Sequence, residues 1–255
     1  MNLGKVKNFL IILFLGINIY LLVAGFVSVR FYEDKDTVAN CIDVLRANSV
    51  TLSKDTVPDS TVNLKGIDTQ NTVYTNANVR DGKNGFKTNG NRFSCVFTPA
   101  DKDAAPKDAV MGFLEENGFN TDHMRFSSSK KSGVWYITCT VDGYSIFDSR
   151  IKVTKSADSY IINGKWYEPK SENVHSKSRQ RKTVYITSVL VDMVANEEIM
   201  KNAPFIIEDI DYGYLAGLPY GDAEHVAATA VPYYRIKDNK GNTYYYDAQS
   251  GEYLK

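Results

Sequence analysis

The longest apolar run in the chain lies near its N-terminus, in the stretch FLIILFLGINIYLLVAGFVSV. Residues 9–29 make up 21 positions without a charged side chain. At a rise of about 1.5 Å per residue, a helix of this length spans roughly 31 Å, which matches the hydrocarbon core of a bilayer. The run is longer than the apolar part of a secretory signal, and no small-x-small cleavage site follows it. The pattern therefore predicts an uncleaved transmembrane helix.

Charges on either side of this helix predict its orientation. Lys5 and Lys7 precede the helix without an acid, whereas several acids accompany Arg30. The positive-inside bias then places residues 1–8 in the cytoplasm. The remainder of the chain, from residue 30 onward, is expected outside the cell membrane.

Asn18 lies in the middle of the apolar run, where a polar amide is costly. One interpretation is an amide that a lone spanning helix tolerates. The other is a hydrogen bond to a second transmembrane helix, worth about 0.6–2 kcal/mol. Residue type alone leaves both interpretations open.

Beyond the membrane segment, apolar positions at helical spacing predict three helices. Val38, Cys41, Ile42 and Leu45 form one stripe after the membrane segment. Val110, Phe113 and Leu114 form the buried face of a second helix, with Pro106 in its first turn and Gly118 as a C-terminal cap. The third helix is ITSVLVDMVANEEIMKNAP, with Ser188 as its expected N-cap and Pro204 marking its end.

Alternating apolar and polar positions predict many strands. The clearest are RFSCVF, VWYITCTV and FIIEDIDYGYL, and Asp142-Gly143 is a strong hairpin signal. TVYTNANV alternates weakly and is also expected as a strand. The order of helix, strands, helix and strands resembles a loose internal duplication. It predicts an α+β fold in which a few helices pack on antiparallel sheet.

These elements divide the chain into four segments. They are a cytoplasmic tip (1–8), a transmembrane helix (9–29), a juxtamembrane helix and strand (30–58), and an extracytoplasmic α+β domain (59–255).

Composition excludes one class of partner. The chain has 30 basic and 30 acidic residues. Lys5 and Lys7 are the only charges before residue 30, so 28 basic and 30 acidic residues follow them. This balance lacks the basic excess that nucleic-acid binding requires. One local excess stands out in residues 169–183, a basic loop that is either a solvated connection or a contact for anionic lipid or wall polymer.

No pattern of catalytic or metal-binding residues appears. His123, His175 and His225 are far apart and follow no zinc-binding spacing. Cys41, Cys95 and Cys139 form no C-x-x-C pair, and an odd, sparse count is more typical of reduced, buried thiols than of a disulfide framework. The sequence therefore predicts a protein without enzymatic activity, cofactor or metal.

Several motifs together resemble a known family. The membrane helix carries Phe14, Leu15 and Asn18. The segment YSIF supplies Tyr144, Ile146 and Phe147. The tail VPYYRIKDNKGNTYYYDAQSGEY supplies Pro232, Tyr234, Arg235, Ile236, Tyr245, Tyr246 and Gly251. This combination resembles the YycI family, the membrane-anchored regulators of the YycG (WalK) sensor histidine kinase. One departure is Tyr234, where the family often has tryptophan.

The resemblance implies a function. Family members are non-catalytic accessories of a two-component system that controls cell-wall homeostasis, and they act with the kinase and a sister protein, YycH. Contacts are expected through the ectodomain and through the membrane helix, where Phe14, Leu15, Asn18 and Tyr20 are the candidate partner-binding residues. The implied location is the cell membrane, which the chain crosses once with its N-terminus in the cytoplasm. The resemblance also allows a homo-oligomer.

Two other functions compete with this one. The tail also resembles PepSY-like domains, which favours a tethered extracytoplasmic module that binds wall polymer or inhibits a protease. A hydrolase whose site uses His225 and Glu224 is the third hypothesis.

Overall fold

The computed structural model describes residues 35–53, 64–170, 183–217 and 227–254, together with Phe14 and Val57. The described part has an α+β fold, as the sequence predicts. Its helices are α1 (Lys35–Ala47), α2 (Thr72–Thr75), α3 (Ala77–Arg80), α4 (Pro106–Glu116), α5 (Ile186–Ala195) and α6 (Glu197–Met200), with a 3-10 turn at Lys83–Gly85.

The strands belong to one connected sheet system of thirteen strands within the described residues. They are β1 (Val50–Leu52), β2 (Ile67–Asn71), β3 (Lys87–Asn89), β4 (Arg92–Phe97), β5 (Met124–Ser128), β6 (Val134–Val141), β7 (Tyr144–Ser156), β8 (Ser159–Lys165), β9 (Tyr167–Pro169), β10 (Phe205–Leu215), β11 (Ala227–Asp238), β12 (Thr243–Asp247) and β13 (Tyr253–Leu254).

The main path of the sheet runs β13-β12-β11-β10-β7-β8-β4-β3, and β6, β5, β1, β2 and β9 join it from the side. Most pairs are antiparallel, but β1 lies parallel to β10, and β10 meets β7 in parallel at Tyr214 and Ile146. The sheet is therefore mixed rather than purely antiparallel as expected. The pattern of side chains does not fix strand direction, because both kinds of pairing bury alternate residues.

Two hydrophobic cores hold the sheet and helices together. The first core includes Val110, Leu114, Ile137, Cys139, Ile151, Val153 and Trp166. The second core includes Cys41, Leu45, Val189, Leu190, Met193, Ile236 and Tyr246. Each core joins at least one amphipathic helix to one region of the sheet, so each buries the apolar stripe that its helix carries.

Helix α1 confirms the first predicted stripe. Cys41 and Leu45 are buried, and Val38 and Ile42 pack partly buried against the second core. The Cys41 thiol lies 3.7 Å from the carbonyl oxygen of Thr187, on α5. Strand β1 follows directly and pairs with β10. The chain next to the apolar N-terminal run thus enters the second core.

Helix α4 also confirms its predicted caps. Pro106 occupies the first turn, where its missing N–H leaves no bond unmade. Gly118 has φ +82°, and the Phe119 N–H donates to the carbonyl of Leu114 at 3.0 Å. This arrangement ends the helix and buries Phe119 in the first core.

The strand expected in TVYTNANV is wrong, because two short helical turns replace it. The Asn71 side chain accepts a hydrogen bond from the Val73 N–H, and the Asn76 side chain accepts from the Asn78 N–H, both at 2.9 Å. Each asparagine caps one turn, α2 or α3. Local side-chain capping therefore outweighs the weak alternation.

Ser188 is not the N-cap of α5, which begins two residues earlier at Ile186 and follows Tyr185. Ile186 is buried in the second core, so tertiary packing starts the helix before the expected cap. Asn196 then interrupts the predicted long helix. Its side chain accepts from the N–H groups of Glu198 and Ile199 and starts α6.

Candidate functional site

A cleft of about 640 Å³ lies between the β3–β4 hairpin and strands β7 and β8. Strand β7 shows why polar residues line it. Ile151 and Val153 point into the first core, whereas Arg150 and Lys152 alternate with them and line the cleft. The cleft therefore lies on the face of the sheet opposite the first core.

Five cationic side chains line this cleft and define what we term the cationic cleft: Lys87, Arg92, Arg150, Lys152 and Lys165. Strand pairing brings them together. Arg150 lies opposite Lys165, and Lys152 lies opposite Asn163. Asn163 in turn lies opposite Ser94, which pairs with Lys87. The cations thus come from four adjacent strands.

Among the described residues of the lining, Asp148 is the one carboxylate, and its charge is already paired. Its Oδ2 atom accepts from Lys165 Nζ at 3.2 Å and from the Gly217 N–H at 2.8 Å. Its Oδ1 atom accepts from the Ala216 N–H at 2.9 Å. Lys165 is the deepest cation, with 15% of its side chain exposed. Asp148 therefore neutralises Lys165 and no other cation of the cleft.

The remaining four cations of the cleft make no ion pair with any carboxylate of the described chain. Two aromatic rings hold two of the five cations. The guanidinium carbon of Arg150 lies 3.6 Å from the centroid of the Tyr136 ring, and Lys165 Nζ lies 4.7 Å from that of Tyr167. Such contacts orient a cation without neutralising it. The cleft therefore keeps a net positive charge.

One end of the cleft borders a cluster that we term the junction: Phe147, Asp211, Arg235 and Tyr245. The guanidinium of Arg235 stacks on Phe147 at 4.3 Å and binds the Asp211 carboxylate through Nε, at 3.0 Å, and Nη2. The Phe147 and Tyr245 rings lie 6.0 Å apart. Strands β7, β10, β11 and β12 meet here.

Burial and charge act in opposite directions on Asp211. Burial alone would raise the pKa of this carboxyl, but the hydrogen bonds and charge of Arg235, with the nearby Lys237, hold its pKa below the usual range. Burial raises the pKa of Tyr245, and the Arg235 charge opposes that increase. Both residues therefore keep their usual charge states at neutral pH.

Glycine lets β10 approach β7 closely beside the junction. A Cβ atom added at Gly213 would collide with the Ser145 carbonyl oxygen and would lie 2.8 Å from the Phe147 ring. A larger residue would push the two strands apart. This close contact gives a physical reason for the glycine between Tyr212 and Tyr214.

Five of the ten motif residues of the tail and of the YSIF segment fall into two clusters on these strands. Phe147, Arg235 and Tyr245 lie in the junction. Tyr144 and Tyr234 both contact the ring of Tyr212, with centroid distances of 5.9 Å and 5.0 Å. Three others lie in the cores: Ile146 in the first, and Ile236 and Tyr246 in the second. Pro232 lies opposite Tyr214 in the sheet, and Gly251 adopts a positive φ in the turn before β13.

The candidate partner-binding residues lie almost entirely outside the described residues. Phe14 alone is described; it is helical and 70% exposed. Leu15, Asn18 and Tyr20 lie outside the described part, as does most of the predicted basic loop, residues 171–182. In the portion of the chain with described structure, no helix is long and apolar enough to cross a bilayer.

Glu224 and His225, the residues of the hydrolase hypothesis, lie outside the described part of the chain. His123 Nδ1 lies 3.2 Å from the Thr140 carbonyl oxygen on a neighbouring strand, and His175 and His225 lie outside the described residues. Cys41, Cys95 and Cys139 are buried, and no disulfide joins them to one another. Across the described ranges, no group of three or more His, Cys, Asp or Glu side chains could hold a metal ion.

Cys139 is the most deeply buried thiol. Desolvation, followed by the charge of Glu168, raises its pKa to about 12. A thiol that stays protonated at neutral pH is a poor nucleophile. Its place in the first core matches the prediction that it is a strand-core residue.

The DNKGN turn is held together by hydrogen bonds between Asp238 and the residues that follow it. The Asp238 carboxylate accepts hydrogen bonds from the N–H groups of Lys240 and Asn242, from Asn242 Nδ2 and from the Tyr244 hydroxyl. These bonds occupy both carboxylate oxygens of Asp238. The carboxylate organises the turn between β11 and β12.

Reasoning from sequence missed the cationic cleft. Arg150 and Lys152 alternate with apolar residues along β7, which is a detectable signal. Lys87, Arg92 and Lys165 come from other strands, and only the pairing of β3, β4, β8 and β7 brings them to the same cleft.

Comparison with solved structures gives distant structural neighbours. No family model matches the chain, and no curated protein matches it. A solved structure of an uncharacterized protein from Eubacterium rectale ATCC 33656 is similar over 75% of this chain and 86% of its own. The identity is 7% and the TM-score is 0.44.

Proposed function

We propose that the chain is a membrane-anchored, non-enzymatic accessory regulator of a sensor histidine kinase of the YycG (WalK) type. In this proposal, residues 9–29 cross the cell membrane and residues 1–8 lie in the cytoplasm. The α+β domain lies outside and contacts the kinase and a YycH-like partner. The output of the complex is control of the cell wall.

The convergence of motif residues is the observation that supports this function. Phe147 and Arg235 stand 88 positions apart in sequence, and both belong to motifs that resemble one family. In the fold they stack on one another, with Tyr245 beside them. A pattern matched by chance would not be expected to share one contact. The need to pack Phe147, Arg235 and Tyr245 against one another gives a physical reason why both motifs occur in one chain.

The two cores support the finer architectural proposal of a duplicated PepSY-like or YycH-like unit. The first core packs α4 on strands β4 to β8, and the second packs α1 and α5 on strands β10 to β12. Each unit joins helices to sheet through its own core. Such paired units suit a protein that presents surfaces to two partners.

The experiment tests whether the proposed membrane helix contributes to association with the kinase. We would replace residues 9–29 with a neutral poly-Leu helix and, separately, change Asn18→Leu in the native helix. Co-purification with the kinase and expression of wall genes are the measurements. Both changes should weaken association, because the amide and the shaped surface of the helix are lost. An Ile11→Leu change, which keeps the apolar character, serves as the matched control.

Unchanged association and unchanged wall-gene expression in the poly-Leu chain would remove the membrane contact from the proposal. Full-length chain that captures peptidoglycan or teichoic acid but no kinase would favour the tethered PepSY-like module instead.

A further inference from the structure

We propose that the cationic cleft binds a soluble linear polyanion whose charges are phosphates. Binding in the cleft requires no contact with a kinase, so this inference goes beyond the function proposed above. It stands on the charge, spacing and backbone pairing of the residues that line the cleft.

The first argument is charge. The whole chain has as many acidic as basic residues, yet the cleft lining carries five cations and one carboxylate. Asp148 is held by Lys165 and two backbone N–H groups. Like charges gathered in a concave site repel one another, and a bound anion relieves that repulsion.

The second argument is spacing. The cations span strands β3, β4, β8 and β7, which at about 4.8 Å between strands covers roughly 14 Å. Arg150 and Lys152 lie about 7 Å apart along one strand. A single phosphate cannot reach across this distance. A chain with several phosphates would place one charge near each cation.

The third argument separates phosphate polymers from acidic peptides. Strands β4, β7 and β8 are each flanked by neighbours on both sides, so their backbone N–H groups are taken. A peptide that adds to a sheet needs a free backbone edge. Among the strands that line the cleft, only β3 lies at the end of the sheet path, and it is 3 residues long. The guanidinium groups of Arg92 and Arg150 instead present planar forks that match phosphate oxygens.

The shape of the site disfavours a membrane surface. The cleft is concave, and Lys165 at its base is 15% exposed. A flat bilayer surface would reach the outer cations and leave the base of the cleft empty. A flexible chain can enter.

The test uses the full-length chain in neutral detergent and short linear inorganic polyphosphate as the probe. Isothermal titration calorimetry should give saturable binding with one chain per site, weakened by added salt. Arg150→Gln with Lys152→Gln should lower the affinity about tenfold or more, because each removes a charge-assisted contact. Lys87→Gln with Lys152→Gln should have a similar effect and leaves the Arg150–Tyr136 contact intact.

The matched control is Lys107→Gln with Lys131→Gln, which removes the same charge from exposed positions outside the cleft. Its affinity should equal that of the unchanged chain. Equal losses in the cleft and control variants would mean that net charge alone binds the probe, and the site would be rejected. The site would also be rejected if the unsubstituted chain, shown to be folded by its thermal unfolding, did not bind polyphosphate.

Two further probes test the ligand class. Poly-glutamate of matched charge should bind at least about tenfold more weakly than polyphosphate. Equal or tighter binding would overturn the assignment to phosphate. Vesicles with anionic lipid should not compete with polyphosphate, and competition would overturn the assignment to a soluble polymer. Kinase association is measured separately, so failure of either proposal leaves the other standing.

Discussion

The guanidinium carbon of Arg235 lies over the Phe147 ring, 4.3 Å from its centroid, and the same guanidinium donates hydrogen bonds to the Asp211 carboxylate. One side chain thus ties β11 to β7 and to β10. Arginine suits this position because its planar fork can stack and donate at the same time.

Removing this side chain should destabilise the fold. Arg235→Ala loses the stack and leaves Asp211 with Lys237, at 3.6 Å, as its remaining partner. We expect a loss of about 2–3 kcal/mol in the free energy of unfolding. Arg235→Lys keeps the charge but not the fork, and should lose about half as much. Chemical denaturation measures both, and equal stability of all three chains would contradict the role of the stack.

A pair of glycine substitutions should have opposite effects. A Cβ at Gly164 would lie 2.7 Å from the Arg150 carbonyl oxygen and 2.8 Å from the Ile151 Cα, so Gly164→Ala should cost about 1–3 kcal/mol. Gly112, inside α4, has nothing within 4 Å of its added Cβ. Gly112→Ala should stabilise by about 0.5–1 kcal/mol. Thermal unfolding of the two variants gives the signs, and a stabilising Gly164→Ala would refute the close approach of β7 and β8.

The buried cysteines should be protected from thiol reagents. Cys41, Cys95 and Cys139 are at most 3% exposed, and burial raises the pKa of Cys139 to about 12. A colorimetric thiol reagent at pH 8 should therefore find almost no reactive thiol in the folded chain. The chain unfolded in urea should titrate all three. Rapid reaction of one thiol under native conditions would place that cysteine at the surface.

Asp238 should make stability depend on pH in the acid range. Burial would raise its pKa, but hydrogen bonds from Asn242, Tyr244 and Lys240 lower it below the usual value. The folded pKa lies below the unfolded value of roughly 3.9. The contribution of the ionised Asp238 to the free energy of unfolding is therefore complete above that value, and it disappears as the pH falls through the folded pKa.

The test compares Asp238→Asn with the unchanged chain over that range. The variant should be less stable by about 1–3 kcal/mol at neutral pH, because an amide cannot accept every bond that the carboxylate accepts. The difference should shrink as the pH falls below about 4. A difference that stays constant with pH would show that the charge of Asp238 plays no part.

The sequence predicts those elements whose signals are local. Helix α4 carries its own start at Pro106, its own stop at Gly118 and its own buried stripe, so its bounds follow from neighbouring residues. The hairpin between β6 and β7 is equally local, since Asp142 and Gly143 both adopt positive φ in its turn.

Elements decided by distant partners were not predictable in the same way. Ile186 starts α5 because it packs in the second core, which no neighbouring residue reveals. Lys87 on β3 and Arg150 on β7 share a cleft because β3, β4, β8 and β7 lie side by side in the sheet. Strand order is set by packing of the whole chain, and an alternating pattern records only which face a residue occupies.

The order of the two cores along the chain has a consequence for folding. The second core unites α1 and β1, near the start, with α5, α6 and strands from β10 onward; Val50 pairs with Phe205, 155 residues later. The first core lies mostly within residues 64–167, with Tyr214, Ala216 and Ala230 as its late members. As the chain is synthesised, the middle can condense while α1 still lacks its partners. Helix α1 and strand β1 therefore complete their packing only after the C-terminal strands have formed.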